Sequence, residues 1–126
     1  MEKGDLHVGF GIMGGPNQPL AHAQFVSNVA DFGLNLQGAL EAPRFTKRTV
    51  RDCEVSIEGR VTEPVRQELT RRGHKLSVKG DYSSSMGRGE AVMHDSAAKV
   101  NYGASSPQGD GAAVPEPVGP TFPASP

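Results

Sequence analysis

Apolar and polar positions along the chain fall into stretches with the period of a strand and stretches with the period of a helix. Residues 5–13, Asp-Leu-His-Val-Gly-Phe-Gly-Ile-Met, read as a strand weakened by Gly9 and Gly11. Glycines inside a strand mark a bulge or another backbone packed close by. From Leu20 to Asp31, Ala21, Phe25, Val29 and Phe32 share one stripe with Val26 and Ala30 beside it, which is amphipathic helix spacing. Gly33 stands where a left-handed C-cap belongs. Asn35 caps a second short helix, Leu36 to Glu41, which Pro43 stops because the residue before a proline is pushed out of helical angles.

Arg44 to Arg51 alternates poorly and reads as an irregular strand or crossing. Glu54 to Ile57 alternates as a strand and ends at Gly59. Thr62 is placed to cap a helix from Glu63 to Arg72, with Pro64 in its first turn, Val61, Val65 and Leu69 as its apolar stripe, and Gly73 at its end. His74 to Val78 is a further strand, residues 79–88 a polar loop, and Glu90 to His94 and Val100 to Ala104 two strands joined by a turn. The element order predicts an α+β fold with a mostly antiparallel sheet and helices on one face. Residues 1–106 form the domain, and 107–126, with six prolines, an extended or disordered tail.

Composition narrows the function classes. A chain of 126 residues fits one domain, and 36% hydrophobic residues without Trp give it a thin core. A net charge of −1 carries neither the basic footprint of a nucleic-acid binder nor a polybasic membrane patch. No apolar run approaches the roughly 20 residues of a membrane helix, and the chain as given reads as cytoplasmic. The single cysteine, Cys53, excludes an internal disulfide and a cysteine-based zinc site, and reads as a buried or tolerated thiol.

The chemistry gathers at Gly11-Ile12-Met13-Gly14-Gly15-Pro16. A strand that breaks at paired glycines before a helix brings bare backbone N–H groups and a helix N-terminus to one point. Such a corner suits an anion, either a bound phosphate or the oxyanion of an acyl-transfer intermediate. Gly9 to Gly14 also matches G-x-G-x-x-G, but the pattern lies inside the strand, Pro16 and Pro19 delay the helix, and Asp31 sits at a helix end. These departures argue against a site for NAD or ATP. His7, His22, His74 and His94 are too scattered for a metal site and read as surface or core-edge histidines; Ser83-Ser84-Ser85 lacks a positioned base. No cofactor is expected.

The ordered series of blocks is more specific than any one motif. Gly11-Ile12-Met13-Gly14-Gly15 precedes Gln18-Pro19, His22-Ala23-Gln24, Asp31-Phe32-Gly33-Leu34-Asn35 and Ala39-Leu40-Glu41-Ala42-Pro43-Arg44-Phe45. Arg72-Gly73-His74, Gly103-Ala104-Ser105-x-Pro107 and Gly109-Asp110-Gly111-Ala112-Ala113 follow. From about Leu6 to Pro115 this resembles the C-terminal part of the small subunit of bacterial gamma-glutamyltranspeptidase. The resemblance implies an N-terminal-nucleophile hydrolase fold, a four-layer αββα sandwich formed by autocleavage into large and small subunits. It implies transfer or hydrolysis of γ-glutamyl groups, with glutathione as the usual donor, through an acyl-enzyme on the small subunit's N-terminal Thr. Water, an amino acid or a peptide is then the acceptor. Gly14 and Gly15 match the glycine pair whose backbone N–H groups form the oxyanion hole.

In the family the nucleophilic Thr and the residues that hold the glutamyl α-amino and α-carboxylate groups lie upstream of the glycine pair, and none lies within this chain. Met1-Glu2-Lys3 resembles an internal family segment rather than a subunit start. Ser106 and Gln108 stand where a Gly-Ala-Ser-Asp-Pro-Arg block has Asp and Arg, and Glu90 replaces a common Gln. The lost Asp–Arg pair is expected to weaken ordering near the C-terminus. Family members are often exported. Two functions follow as expectations: a fragment of a gamma-glutamyltranspeptidase-like enzyme, inactive alone, or a non-catalytic binding module that keeps the fold remnant. Either pairs with a large-subunit-like chain or with itself.

Overall fold

The computed structural model describes residues 2–3, 5–49 and 51–115. Met1 and residues 116–126, most of the expected tail, lie outside the described residues. In chain order the elements are β1 (Glu2–Lys3), β2 (Leu6–Met13), α1 (Gln18–Ala30), α2 (Leu36–Glu41), β3 (Phe45–Thr46), β4 (Glu54–Glu58), α3 (Glu63–Arg71), β5 (Lys75–Lys79), β6 (Arg88–Asp95) and β7 (Val100–Ser105). Short 3-10 turns cover Gly15–Asn17 and Ser84–Met86.

The fold is α+β, as the element order predicts, and its strands divide between two sheets. Four form an antiparallel sheet in the order β1-β2-β6-β7. Three form a smaller sheet in the order β3-β4-β5, where β3–β4 is antiparallel and β4–β5 parallel. A parallel pair needs a crossover connection, and α3 provides it.

α1 and α2 lie on one face of the larger sheet. Ala21, Phe25, Leu36, Ala39 and Leu40 pack there against Ile12, Ala91 and Ala104, with Phe10 and Met93 at the margin. The Phe10 and Phe25 rings lie 4.5 Å apart, centre to centre. Asn35 caps α2, accepting the Gly38 N–H at 2.7 Å. Gly33 ends the preceding segment at φ 68°.

Four local expectations need correction. Phe32 is 73% exposed, because α1 stops at Ala30 and Phe32 lies beyond its C-cap, in the turn that leads to the left-handed Gly33. Thr62 makes no side-chain cap to α3; only its carbonyl accepts the Arg66 N–H. α3 buries no residue, and Val65 is exposed, so its apolar stripe is not covered as the spacing predicts. Gly9 and Gly11 mark no bulge: the β2–β6 register runs unbroken from Leu6 opposite Asp95 to Met13 opposite Arg88.

Alternate residues of a strand face opposite sides of a sheet. Gly9 and Gly11 therefore share the face away from the helices with Met13, Glu90 and Val92. No atom lies within 4 Å of a Cβ built on Gly11. At the β7 end the chain returns over this face, and a Cβ on Gly103 would come within 3.0 Å of the Ala113 methyl.

Candidate functional site

β2 ends at Met13, and the chain turns through Gly14 and Gly15 into α1 within four residues. Gly15 holds φ 56°, a left-handed angle that only glycine takes freely. The Gly14 carbonyl accepts the Asn17 N–H at 3.2 Å and the Gly15 carbonyl the Gln18 N–H. Pro16 and Pro19 sit in the first turns, where a missing N–H costs nothing, so they delay the helix less than the sequence suggests. Both glycines are exposed. Among the described residues, neither of their N–H groups donates a hydrogen bond.

Three groups brace this corner. His22 accepts the Ile12 N–H through Nε2 at 2.9 Å, tying the last part of β2 to α1, and its ring meets Phe10 edge-on. It is thus a core-edge histidine. Asn17 stands at the N-cap of α1 but does not cap it; its Nδ2 donates to the Met86 carbonyl at 3.0 Å. Gly87 lies beneath the corner at φ 92°, where a Cβ would meet the Met13 carbonyl oxygen at 2.8 Å.

The 83–87 turn is held in its own right by a buried carboxylate. Glu58, the last residue of β4, is fully buried and accepts four hydrogen bonds. They come from the backbone N–H of Arg44 at 3.2 Å and of Ser83 at 3.0 Å, the Arg60 guanidinium at 2.6 Å and Gln108 Nε2 at 3.3 Å. Arg44, 3% exposed, gives its own guanidinium to the carbonyls of Gly87 and Leu40. Burial lowers the Arg44 guanidinium from its ordinary value; Glu58 pulls it back up and Arg60 adds to the lowering. Arg60 also stacks 3.7 Å from the centre of the Tyr82 ring, just before the turn.

Ser106 and Gln108 belong to the same network. Both are buried, and the Ser106 hydroxyl donates to Gln108 Oε1 at 2.5 Å. A neutral hydrogen-bonded pair thus occupies the two positions where the resembled block carries Asp and Arg, and the segment keeps a contact with Glu58.

Two adjoining cavities open beside the corner. One, of about 310 Å³, is bordered by Gly14, Asn17, Thr46, Lys47 and Arg48. The other, of about 550 Å³, shares Thr46, Arg48 and Ser85 with it and adds Asp52, Glu54 and Lys79. Lys47 donates to both the backbone and the carboxylate of Asp52, and Thr49 to the same carboxylate. The Thr49 hydroxyl, with the Glu54 N–H and Lys47, holds the exposed Asp52 carboxyl below the usual carboxylate range. Arg48 has no ion pair among the described residues.

The G-x-G-x-x-G run has no parallel partner. Gly9 and Gly11 lie in β2, antiparallel to both neighbours, so the strand context of a dinucleotide fingerprint is missing. Cys53 is exposed, a tolerated thiol rather than a buried one.

Glu58, Asn17 and the 46–48 segment were not evident as site residues in the sequence. The available signal was a carboxylate directly after the apolar Ile57 at the end of the strand, and both are buried.

The family model described as Gamma-glutamyltranspeptidase matches residues 1–116. The chain is 34% identical over 108 residues to the glutathione hydrolase-like YwrD proenzyme of Bacillus subtilis (strain 168), a match covering 83% of this chain and 20% of that protein. Among solved structures it is similar to a cephalosporin acylase from Bacillus halodurans, with TM-score 0.75 and 40% identity over 82% of this chain and 19% of the other. A highly active mutant of gamma-glutamyltranspeptidase from Pseudomonas nitroreducens aligns with TM-score 0.75 and 28% identity over 93% of this chain and 59% of the other. The chain thus spans about a fifth of the length of the curated relative.

Proposed function

The chain belongs to the gamma-glutamyltranspeptidase family, and from that premise we propose that it supplies the oxyanion-stabilising corner of an enzyme that transfers or hydrolyses γ-glutamyl groups. The observation that carries the reading is the pair of exposed main-chain amides at Gly14 and Gly15, which donate to no other described residue. When a nucleophile adds to an acyl carbon, the carbonyl oxygen gains a full negative charge. Donors already fixed at that point stabilise the charge without reorganising, and one such donor is typically worth about 3 kcal/mol of barrier. The N-terminus of α1, three residues on, adds a partial positive charge of the right sign.

The nucleophile, by family resemblance an N-terminal Thr, comes from polypeptide other than these residues. Acyl transfer requires nucleophile, base and oxyanion hole together, so the 126-residue chain alone is expected to be inactive. Its partner in this reading is the rest of such an enzyme. The sheet face opposite the helices supports that, since Met13 and Val92 are exposed there beside Gly9 and Gly11, outside the β7 side of the face that residues 111–113 cross.

The test is a chimera. Residues 5–115 replace the matching segment of a family member that turns over a γ-glutamyl anilide. Turnover at a rate within about tenfold of the parent is expected; a folded chimera that processes itself and releases no anilide contradicts the reading.

A further inference from the structure

β1 pairs only with Leu6 and His7, so from Val8 to Met13 the outer edge of β2 has no strand beside it among the described residues. At Ile12, two residues before Gly14, a side chain takes the place of that strand: His22 Nε2 accepts the Ile12 N–H at 2.9 Å. An amide N–H can only donate, so Nε2 carries no proton and the imidazole is neutral, with its hydrogen on Nδ1. The Gly14 amide lies on the same edge. The Met13 carbonyl oxygen is on the Gly87 side, 2.8 Å from where a Gly87 Cβ would be, and no peptide bond among the described residues is cis. In a trans peptide the following N–H points the opposite way, so the Gly14 N–H faces the outer side, where His22 stands.

The titratable groups around this ring are few and distant. α1 has no charged residue from Gln18 to Ala30, β3 has none, and α2 has only Glu41, which accepts from Gln37. On β2, alternation puts His7 on the face opposite Ile12. Lys3 and Asp95 lie opposite Leu6, six positions from Ile12. The ring's neighbour within the sheet is apolar, the Phe10 ring at 5.4 Å.

Resting on the acyl-transfer reading above, we infer that His22 is a positioning residue for the oxyanion corner and that its protonation disarms the corner. While neutral, the imidazole holds the end of β2 against α1 and keeps the Gly14 N–H aimed at one point. Once protonated, Nε2 carries a hydrogen that meets the Ile12 N–H head-on, and the hydrogen bond is lost. Gly14 then moves with Ile12, and a donor displaced from its point stabilises an oxyanion less. His22 touches no substrate in this account; it acts through Ile12. Histidine is the side chain whose charge ordinarily changes near neutral pH, which makes the corner sensitive to mild acid.

The first test is an NMR titration of the full isotope-labelled chain. On acidification the Ile12, Gly14 and Gly15 amide signals should move with the same midpoint as the His22 ring carbons. His22→Gln offers an uncharged acceptor oxygen at the same reach, and its Gly14 and Gly15 signals should stay fixed across that midpoint. In the chimera at mildly alkaline pH, His22→Leu, which removes the acceptor, should lower kcat for γ-glutamyl-p-nitroanilide by about tenfold or more while KM stays within about threefold. His22→Gln should keep kcat within about threefold, and keep a larger share of it at the His22 midpoint than the unaltered chimera keeps. Gly14 signals that ignore the His22 midpoint overturn the inference, as does a kcat that rises when His22 takes up its proton. An inactive chimera whose chain still couples Gly14 to His22 refutes the acyl-transfer reading alone. An active chimera that is equally fast with His, Gln or Leu at position 22 refutes the positioning role alone.

Discussion

Arg44 donates to the carbonyl of Gly87 at 2.8 Å, across 43 positions of sequence. Gly87 in turn packs under Gly14, whose Cβ, if it had one, would lie 3.3 Å from the Gly87 Cα. The exposed glycine corner therefore rests on a buried polar network, and its geometry depends on residues that a ligand at the corner does not touch.

Gly87→Ala is the sharpest probe of that support. The new methyl would sit 2.8 Å from the Met13 oxygen and 2.9 Å from Ile12 Cγ2, on a backbone with φ 92°. Left-handed strain alone costs about 1–3 kcal/mol, and the clash adds to it. Urea denaturation should show a loss of at least about 2 kcal/mol, with the Gly14 and Gly15 amide signals displaced. A change below about 0.5 kcal/mol would mean the two backbones are not in contact.

Glu58→Gln replaces one acceptor oxygen with a donor while four donors still point at the site. It also breaks the ion pair with Arg60 and removes the charge that offsets the burial of Arg44, the situation in which breaking a buried pair costs about 3–5 kcal/mol. Glu63→Gln, which breaks a surface pair with Arg66, should cost far less. Chemical denaturation of the two variants side by side measures the contrast, and equal losses would refute the hub role of Glu58.

Ser106 and Gln108 can be returned to the family's Asp and Arg. Ser106→Asp alone buries a second carboxylate near Glu58, and Gln108→Arg alone brings a cation to it. Together they form a pair, so the double variant should be more stable than the sum of the single effects by about 1 kcal/mol or more. A double-mutant cycle from denaturation midpoints tests this, and strict additivity contradicts it.

Acid should loosen the end of α3. Hydrogen bonds from Arg71 and then Arg72 hold the Glu68 carboxyl below its ordinary range, and Arg66 does the same for Glu63. A carboxyl depressed in the folded state contributes stability that is complete above its unfolded value. The contribution is lost as pH falls through the lower, folded value. Both groups are exposed, so the effect is small and fades with salt. Carboxyl 13C titration should place Glu68 below an unpaired glutamate, and Arg71→Ala should move it back up. No movement would show that the Glu68–Arg71 pair is absent in solution.

Much of the local structure was legible in the sequence because it follows from local rules. The α2 cap at Asn35 needs only an oxygen three residues before Gly38, and α1 needs only the spacing of Ala21 and Phe25. What was not legible depends on partners far along the chain. Asn17 stands at the N-cap of α1, yet its side-chain amide donates to the Met86 carbonyl, 69 residues away. Nothing local in the sequence marks Glu58, at a strand end, as buried. It is buried because Arg44, Ser83 and Gln108 converge on it from three other segments. Gly9 and Gly11 read as the mark of a bulge or of another backbone packed close by, and instead lie in an unbroken ladder. The glycine corner itself was legible, since its chemistry lies in adjacent residues.

The central claim is that the main-chain hydrogens of Gly14 and Gly15 stabilise an oxyanion. Replacing Gly15 by glycolate through semisynthesis of the chimera converts one amide to an ester and deletes the N–H without changing shape. If the account is right, kcat for γ-glutamyl-p-nitroanilide falls on the order of 10²–10³-fold while KM stays within about threefold. A folded ester variant that keeps its full kcat would contradict it.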